Sequence, residues 1–269
     1  MTREAVRRSS DAATGYQDTL VPALMEEWAP RVAAAAGIRA GDRVLDIACG
    51  TGVLTAEAAR RAGTTGSVTG LDLSPEMLAV AARVHPGLRW KQGSGDALPF
   101  PDHSFDAVVS QFGLMFFPDQ TAGLREMRRV LVPGGRLAVA VWGSLADTPA
   151  YAAEVELVER LAGKEAGDAL RAPFVLGDPM RLSELCVAAG FTDALVTLQP
   201  GRGRFPSIRT MVEVDVRDWL QIVGIALDDE LIERILEEAE TELRPFLTNE
   251  SGGVGFDSPA VIARARRPA

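Results

Sequence analysis

The densest chemical grouping in the chain is a pair of carboxylates flanking a pair of glycines. Asp46, Gly50 and Gly52 fall within Val44-Leu45-Asp46-Ile47-Ala48-Cys49-Gly50-Thr51-Gly52, and Asp72 follows twenty residues after the last glycine, in Gly70-Leu71-Asp72-Leu73-Ser74. Glycines in a turn let the backbone approach a ligand with no Cβ in the way. A carboxylate at the end of the next strand can accept hydrogen bonds from both hydroxyls of a ribose. Together they are suited to binding a nucleoside. A dinucleotide site adds a third glycine, here at position 55, to seat a helix N-terminus against a pyrophosphate. The chain has Thr55 instead, which argues against NAD and FAD. Asp46, four residues ahead of Gly50, would repel a pyrophosphate and attract an ammonium group.

Those residues need a strand, a turn, a helix and a second strand to hold them. Arg43 to Ala48 reads as a buried strand, Val53 to Arg61 as a helix, and Ser67 to Leu73 as the second strand. Ser74-Pro75 then supplies an N-cap and a first-turn proline for a helix reaching Val84. Strands follow at Leu88 to Gln92, Phe105 to Gln111, Arg136 to Trp142 and Ala194 to Gln199, with a last one at Pro259 to Ala265. Helices over Asp119 to Val130, 149–161 and 178–190 separate them, and Pro133-Gly134-Gly135 makes the turn into the fifth strand. Such alternation of strand and helix predicts a doubly wound, Rossmann-like α/β sheet.

Ahead of it, Leu24, Met25, Trp28 and Val32 recur at helical spacing. Pro22 suits a first turn and Pro30 a bend or break, so the arm is in two helical pieces. Residues 1–15 read as mobile and begin with a basic stretch (Arg3, Arg7, Arg8) that lacks the apolar segment of a secretory signal. From Ser207 to Phe246 two amphipathic helices, the second capped by Asp228, form a cover over the active edge, with a Glu-rich solvated face; Asn249 to Gly255 is a loop. The predicted organisation is an arm (1–40), a sheet core (41–206), a helical cover (207–250) and a return to the core (251–269).

Asp46 to Gly52 resembles motif I of the class I S-adenosylmethionine (SAM) methyltransferases, (Asp/Glu)-x-Gly-x-Gly-x-Gly, with Ala48 at the first glycine. Alanine there, with Gly95-Asp96-Ala97-Leu98-Pro99-Phe100-Pro101-Asp102-His103-Ser104-Phe105-Asp106 and Leu131-Val132-Pro133-Gly134-Gly135-Arg136-Leu137, is similar to the ubiquinone/menaquinone-biosynthesis subgroup. The resemblance covers about residues 40 to 143. It implies a seven-stranded sheet with an antiparallel last strand, SAM as cofactor, S-adenosylhomocysteine as product, and in-line transfer of a methyl group to a small apolar or aromatic acceptor without a metal. By the same resemblance Asp46, Ala48, Gly50, Gly52 and Thr55 surround the glycine turn and Asp72 takes the ribose. Leu73 and Met77 cover the adenine, and Asp96 with the Ala97 amide reads its edge. A carbonyl of Ser110 or Gln111 faces the methionine ammonium, with Phe112 beside the methyl group and Tyr16 near the methionine end. Met115, Phe116 and Phe117 either line the acceptor pocket or pack the next helix. Trp142, Met211 and Trp219 lie near the presumed opening. Candidate bases are Tyr16, Tyr151 and Asp215.

Composition narrows the alternatives. A net charge of −9 over 269 residues disfavours a nucleic-acid partner. Ser110-Gln111-Phe112, where enzymes that methylate bases place Asn/Asp-Pro-Pro-aromatic, disfavours base methylation. No run approaches the ~20 apolar residues of a membrane span. Cys49 and Cys186 have neither metal-ligand nor disulfide spacing, which fits a cytoplasmic protein. His85 and His103 read as inert. A homodimer is compatible with the sequence. A SAM-binding protein that does not transfer methyl would keep the same cofactor residues, whereas a nicotinamide dehydrogenase would need the missing glycine and a proton relay.

Overall fold

A computed structural model describes residues 12–250 and 253–268; the basic stretch Arg3 to Arg8 lies outside them. The main-sheet strands are β1 (Arg43–Ile47), β2 (Ser67–Asp72), β3 (Arg89–Gln92), β4 (Phe105–Gln111), β5 (Leu131–Trp142) and β6 (Leu195–Gln199). After β7 (Arg202–Phe205), β8 (Thr248–Glu250) and β9 (Gly253–Asp257), the chain returns to the main sheet as β10 (Ala260–Arg266). The seven-stranded order is β3-β2-β1-β4-β5-β10-β6. β1 lies inside the sheet, next to the central β4, and its Val44, Leu45 and Ile47 are all fully buried, as a strand covered by helices on both faces requires. It runs parallel to β2 and β4, whereas β10 is antiparallel to both β5 and β6. The winding reverses between β1 and β4, which opens a crevice at the carboxyl ends of these strands.

Helices α1 (Tyr16–Met25) and α2 (Ala29–Ala35) form the arm; α3 (Val53–Ala62), α4 (Pro75–Val84) and α5 (Gln120–Val130) cover the sheet. The arm is in two pieces with Pro30 at the break, as expected, but Pro22 is not in a first turn. Pro22 lies inside α1, which is wound as a π-helix, and Pro30 opens α2. A wide π turn accommodates a residue without an N–H, and a first turn needs no N–H at that position. Residues 12–15 continue α1 backwards as helix, and Ala12 and Ala13 are buried, so this part of the expected mobile segment is packed. Residues 133–135 belong to β5 itself, bulging where its register against β4 shifts between Phe105 and Ala107.

α6 (Pro149–Ala162), α7 (Lys164–Arg171) and α8 (Pro179–Ala188) precede β6. Between β6 and β10 lie α9 (Ile208–Glu213), a π-wound segment (Val214–Trp219), α10 (Leu220–Ile222) and α11 (Asp229–Glu242). This region also holds a second sheet, β7-β9-β8, absent from the sequence prediction. Its strands are short, β7 and β9 are glycine-rich, and few of their side chains, Phe205 and Phe256 among them, are buried. Gly203 is needed there because a Cβ would come 2.4 Å from the Phe256 ring. The Glu-rich face of α11 is not simply solvated. Arg160 on α6 binds Glu238 and Glu242 at 2.9 and 2.6 Å, and Arg209 and Arg217 bind Glu233 at 2.6 and 3.3 Å. Among the described residues no helix is long and apolar enough to cross a membrane, and no His, Cys, Asp and Glu side chains group as a metal site.

Candidate cofactor and acceptor cavity

After β1 the backbone enters left-handed conformations at Ala48, Gly50 and Gly52 (φ 54°, 55° and 94°). For alanine this conformation costs roughly 1–2 kcal/mol. The turn is held by Cys49 N–H donating to Leu71 O at 3.0 Å and Gly52 N–H to Cys49 O at 2.9 Å. Asp72 ties it to the next loop: one carboxylate oxygen accepts from Gly50 N–H at 2.7 Å, the other from Ser74 N–H at 2.9 Å. Each oxygen retains a further lone pair for a ligand. Burial raises the Asp72 pKa, opposed by these backbone donors.

Asp46, 1% exposed, accepts from Thr55 Oγ1 at 2.6 Å through Oδ2, while its Oδ1 has no donor. Gln111 is oriented by the arm: its Nε2 donates to Met25 O at 2.9 Å, leaving Oε1 without a donor. Buried acceptors are rarely left bare, and both of these residues line one cavity. They fit a ligand carrying several N–H donors and positive charge. Burial raises Asp46 to about 7, with the Asp72 charge adding to the effect. The folded form therefore holds this proton more tightly than the unfolded chain does. The folded state is therefore favoured most below about pH 4 and loses this advantage as pH rises to 7, roughly 4 kcal/mol in all. The ligand-free Asp46→Asn variant is expected to show a flatter dependence of melting temperature on pH over this range. An unchanged slope would mean that Asp46 does not titrate there.

The cavity has a volume of about 610 Å³. Asp46, Ala48, Gly50, Asp72, Ser94 and Gly95 line one end, with Leu73 and Met77 beside them. The Tyr16 ring lies over the glycine turn, 3.9 Å from where a Gly50 Cβ would be. Burial, then the charge of Asp72, raises the Tyr16 pKa, so this phenol stays a proton donor. Toward the other end Phe112, itself at φ 57°, stacks on Trp142 with centroids 3.5 Å apart and an interplanar angle of 7°. Trp28 packs edge-on against both rings. Phe116 meets Trp219 at 5.1 Å, and Tyr151 meets Phe174 at 5.5 Å.

Several predicted residues lie off this wall. Gly52 faces Trp90, whose ring would be 2.4 Å from an added Cβ. Thr55 stands behind Asp46. The Asp96 carboxylate accepts from the Ser94 hydroxyl, and Ala97 N–H turns to Ser94 O at 3.4 Å; Ser94 and Gly95 take their place on the wall. Met115 and Met211 are buried in the hydrophobic core. Leu20 and Leu24 of the arm, with Leu170, Pro173, Phe174 and Ile222, supply wall that sequence reading missed. An apolar residue carries no local sign of whether it faces a cavity or the core, so only the helical spacing of the arm residues could have hinted at them.

Residues 44–135 match the methyltransferase domain family. The chain is 38% identical over 118 residues to the 2-phytyl-1,4-naphthoquinone methyltransferase of Synechocystis, covering 42% of this chain and 50% of that one. It is 45% identical over 111 residues to a demethylmenaquinone methyltransferase of Staphylococcus aureus, covering 40% and 46%. The matched stretch thus spans half or less of these relatives' length. The YcgJ protein of Bacillus subtilis has the same fold, with a TM-score of 0.59 at 21% identity over 90% of this chain and 99% of that one. Residues 44–135 thus resemble a methyltransferase domain, and the chain shares the Rossmann-like fold of its structural neighbour.

Proposed function

We propose that the chain is a SAM-dependent methyltransferase acting on a small, apolar or aromatic acceptor. The observation that carries this reading is the pair of bare buried acceptors, Asp46 Oδ1 and Gln111 Oε1, on the same wall as Asp72. An amino-acid ammonium at one end of a nucleoside would satisfy the first two, and its ribose hydroxyls the third. The sequence relatives, both named as methyltransferases of quinone compounds, support the same reaction class.

Bound SAM supplies a methyl group on a sulfonium, a leaving group that needs no metal. The chain's own residues would align and enclose. Asp72 holds the ribose, Leu73 and Met77 flank the base, and Ser94 and Gly95 contact it in place of Asp96 and Ala97. Asp46 and Gln111 fix the ammonium, with Tyr16 closing over the turn. Phe112 and Trp142 exclude water beside the methyl group, and Phe116 and Trp219 receive the acceptor. Fixed alignment of this kind can give effective molarities of about 10⁵ to 10⁸ M. Incubating the protein with SAM and a panel of hydroxylated naphthalenes is expected to release S-adenosylhomocysteine only when an acceptor is present. Binding of SAM with no release for any acceptor would favour a SAM-binding protein with another role.

The arm and the 207–250 segment are assigned as the cover of this cavity because both contribute to its wall. For a homodimer the support is the edge strand β6, where Leu195 and Leu198 are exposed; light scattering at the mass of one 28.7 kDa chain would remove it. A cytoplasmic location is supported by the buried, unpaired thiols of Cys49 and Cys186.

A further inference from the structure

Three polar groups are given no cofactor contact by the function proposed above. Tyr151 and Glu154 stand one turn apart on α6, and Asp215 lies in the π-wound segment between α9 and α10. Glu154 is 0% and Asp215 5% exposed. Neither oxygen of Glu154 and not Oδ2 of Asp215 has a donor, yet Asp215 and Tyr151 line the cavity. Two buried carboxyls without a neighbouring cation cannot both stay charged. Glu154 is driven far above the usual carboxyl range by burial and then by the charge of Asp215. Asp215 is raised by burial to about 7. Of the two carboxyls, Glu154 is thus the one that keeps its proton, and Asp215 is the one that lines the cavity.

We propose that Asp215, positioned by Glu154 and Tyr151, recognises the acceptor's polar group and takes its proton, and that the acceptor is a neutral aromatic or conjugated molecule bearing a hydroxyl. This rests on the methyl-transfer reading above. The walls around Asp215, including Phe116, Phe174 and Trp219, offer apolar and aromatic surface to the rest of such a molecule. An ammonium acceptor would also suit carboxylate and aromatic groups, but it would have to lie against the positive sulfonium, and two like charges in an apolar cavity repel strongly. A neutral hydroxyl avoids that repulsion and becomes attracted to the sulfonium as it loses its proton. In the step, the O–H bond breaks and its proton passes to the Asp215 carboxylate. The oxygen's electron pair forms the C–O bond to the methyl group as the methyl–sulfur bond breaks, its pair staying on sulfur. The products are a methyl ether, S-adenosylhomocysteine and a protonated Asp215, which returns its proton to water when the ether leaves.

The test is a fluorescence titration of the protein at pH 8, saturated with sinefungin, which carries an ammonium in place of the sulfonium and transfers no methyl group, against 2-naphthol, naphthalene and 1-naphthylmethylamine. The wild type is expected to bind 2-naphthol at least tenfold more tightly than either of the others. Asp215→Asn is expected to reduce the preference over naphthalene to threefold or less while S-adenosylhomocysteine affinity, measured by calorimetry, is kept. Glu154→Gln, which still offers a donor to Asp215, is expected to retain the preference, and Glu154→Leu to lose most of it. Equal binding of naphthol and naphthalene by the wild type, tighter binding of the amine, or an undiminished preference in Asp215→Asn would overturn the proposal. Failure of the wild type to bind S-adenosylhomocysteine at all would instead remove the reading on which it rests, and the proposal with it.

Discussion

Asp72→Ala is expected to weaken S-adenosylhomocysteine binding about a hundredfold. A hydrogen bond to a charged group contributes roughly 1.5–3 kcal/mol, and Asp72 has a free lone pair on each oxygen for the two ribose hydroxyls. Losing about 3 kcal/mol in total is two orders of magnitude in affinity. The substitution also strips the acceptor from Gly50 N–H and Ser74 N–H, so the two loops that meet at the ribose lose their common tie. Asp72→Asn keeps one oxygen and the side-chain shape without the charge, and is expected to fall between wild type and alanine. Isothermal titration calorimetry decides it, with melting of the ligand-free protein run alongside to separate loop damage from lost contacts. Affinity within threefold of wild type in a folded Asp72→Ala protein would remove Asp72 from the ribose role.

Gly52→Ala is expected to cost stability rather than ligand contact. At φ 94° alanine is strained, and its Cβ would come 2.4 Å from the Trp90 ring, a distance that forces the indole or the turn to move. The two effects together amount to about 3 kcal/mol, or a fall of roughly 6–12 °C in melting temperature for a chain of this size. Adding Trp90→Leu should recover the steric part and leave the backbone part. This pairing is specific because Gly70 faces the same ring, with Trp90 2.5 Å from its own added Cβ. A Gly52→Ala protein as stable as wild type but unable to bind S-adenosylhomocysteine would place the glycine against the ligand instead.

These two positions also show what the sequence could and could not reveal. Asp72 was legible because a strand's length fixes where its last residue stands, and the spacing from the glycine turn put it at the carboxyl edge. Gly52 was legible as a glycine that must turn, but not for what it faces, since Trp90 arrives from another strand. At the expected adenine edge the motif does not show that a Ser two positions before Asp96 competes for its carboxylate. Met211 and Trp219 carried the same helical pattern, and only tertiary packing sends one into the core and the other to the cavity. The second sheet left almost no periodic signal, because Arg202–Phe205 and Gly253–Asp257 are too short and too rich in glycine to show one. Asp215 is the clearest case. It could be named as a candidate base, but its burial beside Glu154 follows from how the segment between α9 and α10 packs in the folded chain.

The central claim is that a nucleoside carrying an amino-acid tail lies across the carboxyl ends of β1, β2 and β4. A crystal structure with S-adenosylhomocysteine tests it most directly. The expected result has both ribose hydroxyls within hydrogen-bond distance of Asp72 and the ammonium against Asp46 Oδ1 and Gln111 Oε1, with the sulfur directed toward Phe112 and Trp142. Density for the ligand outside this cavity, or an ammonium pointing away from both bare acceptors, would contradict the account.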